Sequence, residues 1–270
     1  MLTAAEVHRE LKRVACGVAL TLTTYDAGAT PAQTARRVTA DPIRRARLER
    51  SAQPLCRAGW WSSGRVVYPQ IGGLTGDRAS VMVVVRREAG TESDPACVET
   101  RTLDIRLVRI DGAWVFDRLA SAGGTAIERP ADLSAPARAV LDDPRIELPD
   151  TARWDIYRGD VTPSLLRLMS AVADRGPYGV VVLRTGHPRY VFGTTRLSQH
   201  TVGQAVDLYR VRRSLVVERT ASGAPRTLAR WLCGRADLGQ LGCPWKLTDG
   251  GGRSFSDTVH QDHLHIAVRY

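Results

Sequence analysis

The chain has 270 residues, 43% of them hydrophobic and 24% charged, an ordinary globular composition with length enough for two modest domains. Its formal net charge of +10 is almost wholly arginine, with lysine at Lys12 and Lys246 alone. These basic residues are scattered, and no zinc finger, Gly/aromatic RNA motif or clustered basic helix accompanies them, so no nucleic-acid partner is expected. No apolar run reaches the ~20 residues of a membrane span.

The first apolar stretch, Val14 to Thr23, follows Lys12 and Arg13 and loosely imitates a short signal segment without a convincing cleavage site. It is expected to be a buried helix, or the remainder of a membrane anchor that continues outside the chain. Thr30-Pro31 and Asp41-Pro42 are N-cap and first-turn signals for two further helices. Strand patterns follow at Arg65–Tyr68, Ser80–Val85 and Thr102–Ile110, and the last runs through the hairpin dipeptide Asp111-Gly112 into Ala113–Asp117. Helices followed by an antiparallel meander predict an α+β unit over residues 1–125. It resembles the NTF2-like or cystatin-like accessory domains of actinobacterial envelope proteins such as the Mce-associated proteins. No catalytic constellation stands out in it, so it is expected to be a binding or spacing module.

Small residues and chain breakers cluster from Ser121-Ala-Gly-Gly124 to Pro136, which places a boundary there and a second unit over residues 134–270. Thr162-Pro163 caps a helix whose Leu165, Leu166, Leu168, Met169, Val172 and Ala173 form one apolar stripe. A strand ends at Arg184, which either meets a substrate carboxylate or makes a structural salt bridge, and His187 in Thr-Gly-His-Pro is expected to be a turn residue. Then come two short words, Ser198-Gln-His200-Thr-Val-Gly203-Gln-Ala205-Val-Asp207 and His260-Gln-Asp262-His263-Leu-His265, which hold four of the six histidines. An imidazole and a carboxylate seven residues apart, with an imidazole from a distant strand, make a three-ligand set suited to a catalytic zinc that keeps one position open. Alternation in His263-Leu-His265-Ile-Ala267-Val points both histidines to one face of a strand. Gly203 and Ala205 leave room for close backbone approach.

The words Ser-x-His-x-x-Gly-x-Ala-x-Asp and His-x-His resemble the two signatures of the LAS-type zinc peptidases, peptidase family M15. That group includes D-Ala-D-Ala carboxypeptidases, murein endopeptidases and the Hedgehog signalling domain. The resemblance implies a Hedgehog/DD-peptidase-like α+β zinc domain in which His200, Asp207 and His265 bind Zn2+ and His263 stabilises the transition state. It also implies a base at Asp262, where carboxypeptidase-like members carry glutamate, or at His260, where murein endopeptidase-like members carry an additional histidine. Asp262 is the favoured expectation. Ser198 either contacts substrate or orients the turn that holds His200.

The expected function is therefore hydrolysis of peptidoglycan stem peptides or crosslinks by an extracytoplasmic zinc peptidase, with a possible membrane anchor or envelope partner through the first unit. The alternative is a catalytically inert, zinc-stabilised envelope scaffold. Five cysteines in such a compartment suggest disulfides Cys56–Cys97 and Cys233–Cys243, with Cys16 unpaired.

Overall fold

A computed structural model describes residues 2–94, 96–220, 223–248 and 251–269. The fold is α+β, with two sheets and two main apolar cores. Helix α1 (Arg9–Thr23) buries Leu11, Ala15, Val18, Ala19 and Leu22, a spacing that paints one helical face. Helix α2 (Pro31–Val38) starts on a Thr30 capping box completed by Gln33. Helix α3 (Pro42–Ser51) starts on Asp41, whose carboxylate accepts from the Ile43 and Arg44 amides. In each case a side-chain oxygen satisfies N–H groups that the first turn leaves unpaired.

Four strands form an antiparallel meander in sequential order, β1 (Trp61–Leu74), β2 (Arg78–Gly90), β3 (Cys97–Ile110) and β4 (Ala113–Ser121). Asp111 and Gly112 join the last two with positive φ at both positions, the geometry that an Asp-Gly hairpin turn adopts. Strand β1 is an edge strand, with bulges between Val66 and Tyr68 and between Ile71 and Gly73. The α1 face closes over this sheet and buries Ile71, Val81, Val83, Leu103 and Ile105.

The second core gathers residues from Leu133 onward. Helices α4 (Ala135–Leu141), α5 (Asp150–Tyr157), α6 (Pro163–Ala173) and α7 (Ala224–Cys233) share this core with a mixed sheet in the order β10-β9-β11-β7-β6-β5. Those strands are β5 (Ile146–Glu147), β6 (Tyr178–Val182), β7 (Ala205–Val211), β9 (Leu238–Gly242), β10 (Ser254–Phe255) and β11 (Leu264–Val268), with β8 (Ser214–Leu215) folded back on β7. The predicted α6 stripe is core, capped by Thr162.

The units are joined by buried side chains. Tyr68, Met82 and Val84 of the meander form one apolar cluster with Val181, Val182 and Tyr209 of the second sheet, and Tyr68 stacks on Tyr209 at 4.8 Å.

The expected disulfides do not form. Cys56 is buried in the first core with its thiol on the Leu22 carbonyl, whereas Cys97 is exposed at the start of β3. Cys233 and Cys243 are both buried in the second core and remain thiols, as does Cys16. Among the described residues no helix is long and apolar enough to cross a membrane.

Candidate metal centre

Strand register brings the first two donors together. Strand β11 runs antiparallel to β7 with His265 opposite Asp207, and opposed side chains on one face of a sheet sit about 5 Å apart at Cβ. His200 arrives from the turn before β7. There Gly203 has φ of +68°, and a Cβ would meet the Asp160 carbonyl oxygen at 2.1 Å, so the turn requires glycine. The Ser198 hydroxyl accepts the His200 N–H at 3.3 Å, which gives Ser198 the role of orienting this turn. Its side chain also reaches the cleft wall.

Three donor atoms converge. His200 Nε2 lies 3.1 Å from Asp207 Oδ1 and 3.1 Å from His265 Nδ1, and the latter two are 3.0 Å apart. The partners of the outer nitrogens assign the tautomers. His200 Nδ1 sits 2.5 Å from the Leu183 carbonyl oxygen, which only accepts, so the proton belongs there and Nε2 carries a lone pair. His265 turns Nε2 toward Gln199 Oε1 at 3.5 Å, which leaves Nδ1 facing inward as an acceptor. Burial pushes the His265 imidazole down to about 4, so it is neutral near pH 7, the state in which imidazole binds a metal. Burial would raise the Asp207 carboxyl, but the charge that His200 and His263 carry when protonated holds it well below the usual carboxylate range, so it is ionised. Two imidazole lone pairs and a carboxylate oxygen thus meet in a buried space, an arrangement that repels itself unless a cation lies among them. The residues fit a metal ion.

His187, His200 and Asp207 also form a group whose ligand atoms all lie within 4.8 Å of one another. The His187 ring stacks on His200 with centroids 4.0 Å apart and planes inclined by 18°. A metal lies in the plane of each imidazole that binds it, and two nearly parallel planes do not meet close to both rings. His265 is therefore the better third donor, and His187 backs His200. Its own amide donates to Arg184 O in the expected turn.

Asp262 departs from the expectation of a base. It is fully buried; Oδ1 accepts from His263 Nδ1 at 2.7 Å, while Oδ2 takes Lys12 Nζ at 2.7 Å and the Ile71 amide at 3.0 Å. Both oxygens are occupied by donors, and Lys12 above all holds the carboxyl down to about 2 against the effect of burial. What Asp262 does is fix the His263 ring, whose Nε2 then faces Asp207 Oδ2 at 3.8 Å. Burial would lower the His263 imidazole, but Asp207 and Asp262 raise it above its usual value. His260 differs: its Nδ1 is 2.7 Å from Asp257 Oδ1 and its side chain is part exposed, with the ring 5.0 Å from His263 and 5.6 Å from His265. Arg184, open by sequence to a substrate carboxylate or a structural salt bridge, is paired with Asp160 at 2.5 Å.

The centre lies in a cleft of about 480 Å³. One wall comes from the second unit, including Phe192, Arg196, Phe255 and His260; the other is Gln70 to Leu74 of β1. The sequence offered no signal for that second wall.

No family model matches the chain, and no curated protein matches it. Among solved structures, the chain is similar to a protein described as a scytalone dehydratase from Novosphingobium aromaticivorans, at 18% identity and a TM-score of 0.31, over 41% of this chain and 79% of that one.

Proposed function

We propose that this protein is a zinc peptidase acting on peptidoglycan stem peptides or crosslinks, with an NTF2-like amino-terminal unit and a LAS-type metal centre. The observation that carries the proposal is the convergence of His200 Nε2, Asp207 Oδ1 and His265 Nδ1 within 3.1 Å of one another at the floor of an open cleft. Two imidazoles and one carboxylate are a donor set that suits zinc with one position left for substrate or water. When bound, zinc supplies a Lewis acid that polarises a carbonyl and lowers the pKa of water toward ~7.

The remaining chemistry belongs to the side chains. Asp257 holds the Nδ1 side of His260, which leaves Nε2 to accept a proton from an attacking water, the murein endopeptidase-like assignment. His263, clamped at Nδ1 by Asp262 and facing the cleft, donates from Nε2 to the negative charge that develops on the carbonyl oxygen. The peptidoglycan assignment rests on the two sequence words, and the excess of arginine favours retention at an anionic polymer.

One observation favours the inert scaffold instead. The carboxylate in the expected base position is withdrawn into a bond with Lys12. Metal analysis combined with mass analysis of peptides released from purified peptidoglycan separates the two. Stoichiometric zinc, with turnover lost in His265→Ala and His260→Ala, supports the peptidase. Stoichiometric zinc without turnover on crosslinked or linear peptides supports the scaffold, and absence of zinc from protein refolded with it removes both.

A further inference from the structure

We propose that the amino-terminal unit completes the metal centre of the carboxy-terminal unit, with Gln70 as a positioning residue for Asp207 and Lys12 as a positioning residue for His263 through Asp262. This rests on the reading that His200, Asp207 and His265 bind a metal.

Gln70 lies in β1 of the first unit and is fully buried. Its Nε2 donates to Asp207 Oδ2 at 2.6 Å, while the other carboxylate oxygen, Oδ1, faces the two imidazoles. The amide cannot be turned round, because Oε1 would then oppose a carboxylate oxygen at that distance. Gln70 Oε1 is buried and has no hydrogen-bond partner among the described residues. A buried acceptor without a partner is destabilising, so the stability of β1 does not account for glutamine here, whereas a role toward Asp207 does. Groups that fix the free oxygen of a ligating carboxylate set its orientation and its affinity for the metal.

The second contact runs through charge. Glu6, Lys12, Asp262 and His263 form a buried row of alternating sign, with Lys12 bonded to both Glu6 and Asp262. A backbone amide and a side-chain hydroxyl of the same unit lock Asp262 further. The edge strand β1 gives it the Ile71 N–H, and the Tyr68 hydroxyl donates to its carbonyl oxygen at 2.7 Å. The apolar cluster of Tyr68, Met82 and Val84 with Val181, Val182 and Tyr209 holds the two units in this register. The first unit thus acts on one metal ligand and on one cleft histidine, a role beyond that of a binding or spacing module.

The test is zinc affinity of the full chain by competition with a chelator, for wild type, Gln70→Met and the control Arg78→Ala. Gln70→Met is expected to bind zinc roughly 10- to 100-fold more weakly, with the circular dichroism of the metal-free protein unchanged, and Arg78→Ala to bind as wild type. Should Gln70→Met not fold, Gln70→Asn, which keeps the amide and withdraws it by one methylene, carries the same expectation. Cobalt substitution adds a readout that a purely structural role would not move: the visible spectrum of Gln70→Met should differ from wild type. Equal affinities and equal spectra overturn the inference and leave the peptidase reading intact. Weakened zinc binding in Gln70→Met, from a wild type that cleaves no peptide, overturns the peptidase reading and leaves the inference standing.

Discussion

Lys12 Nζ and Asp262 Oδ2 lie 2.7 Å apart with neither side chain exposed, an ion pair that joins the first helix to the loop before the last strand. Removing one partner of a buried pair leaves an uncompensated charge out of reach of water, which costs about 3–5 kcal/mol. Lys12→Met is therefore expected to lose that much stability, although methionine fills most of the space. Arg78→Ala breaks the exposed pair with Asp77 and should change stability by less than about 1 kcal/mol. Urea unfolding of both variants checks this, and similar midpoints would remove Lys12 from its assigned place.

The same pair fixes a pH dependence. The Asp262 carboxyl is held at about 2, below its ordinary 3.8. A group depressed in the folded state adds stability that is fully present above its ordinary value and is lost as the pH falls through the folded one. Metal-free protein is thus expected to lose this contribution between about pH 4 and pH 2. Asp262→Asn should show a shallower loss over that interval. Parallel urea titrations in a chelating buffer would decide it, with identical acid slopes counting against the assignment.

Metal removal gives an independent handle. A ligand that binds only the folded state stabilises by about 4 kcal/mol at a thousandfold excess over its dissociation constant. Chelation should lower the melting temperature of wild type and leave His200→Ala, Asp207→Ala and His265→Ala unmoved. His187→Ala separates the two histidine sets. Because the His187 ring stacks parallel to His200, that variant is expected to keep stoichiometric zinc with only a modest loss of affinity. Loss of zinc from His187→Ala with retention in His265→Ala would make His187 the third ligand.

What the sequence made legible follows the range of the interactions. His200 and Asp207 share one short word, and His263 and His265 alternate across the start of β11, so local periodicity was enough to group them. The capped starts at Thr30, Asp41 and Thr162 and the Asp111-Gly112 hairpin are local for the same reason. The resemblance implies a base at Asp262 from its place in the second word, but a place near a strand start does not give side-chain direction. That direction is set by Lys12 and the Ile71 amide, which arrive through tertiary packing. Gln70 sits in an unremarkable stretch of strand, and nothing near it in sequence announces a metal centre. Parity and compartment say nothing of depth, and Cys56 is buried whereas Cys97 is at the surface, so that expected pair does not form.

Gly203 offers the sharpest local prediction, because it spaces His200 from Asp207 and its backbone is constrained twice. Its φ of +68° costs about 1–2 kcal/mol for a residue with a Cβ. That Cβ would also lie 2.1 Å from the Asp160 carbonyl oxygen, a backbone atom in the loop before α6. Relief requires the turn to move, and the Thr162 amide that donates to Gly203 O would move with it. Gly203→Ala should therefore lower the stability of the metal-free protein by more than the φ cost alone and should weaken zinc binding, although no ligand has been changed. Gly112→Ala, at a hairpin with nothing within 4 Å of its Cβ, pays the φ cost only and should leave zinc affinity as in wild type. Calorimetric zinc titration of the two variants distinguishes a turn that places His200 from one that only connects it. Equal zinc affinity in both would show that His200 finds its position without this turn.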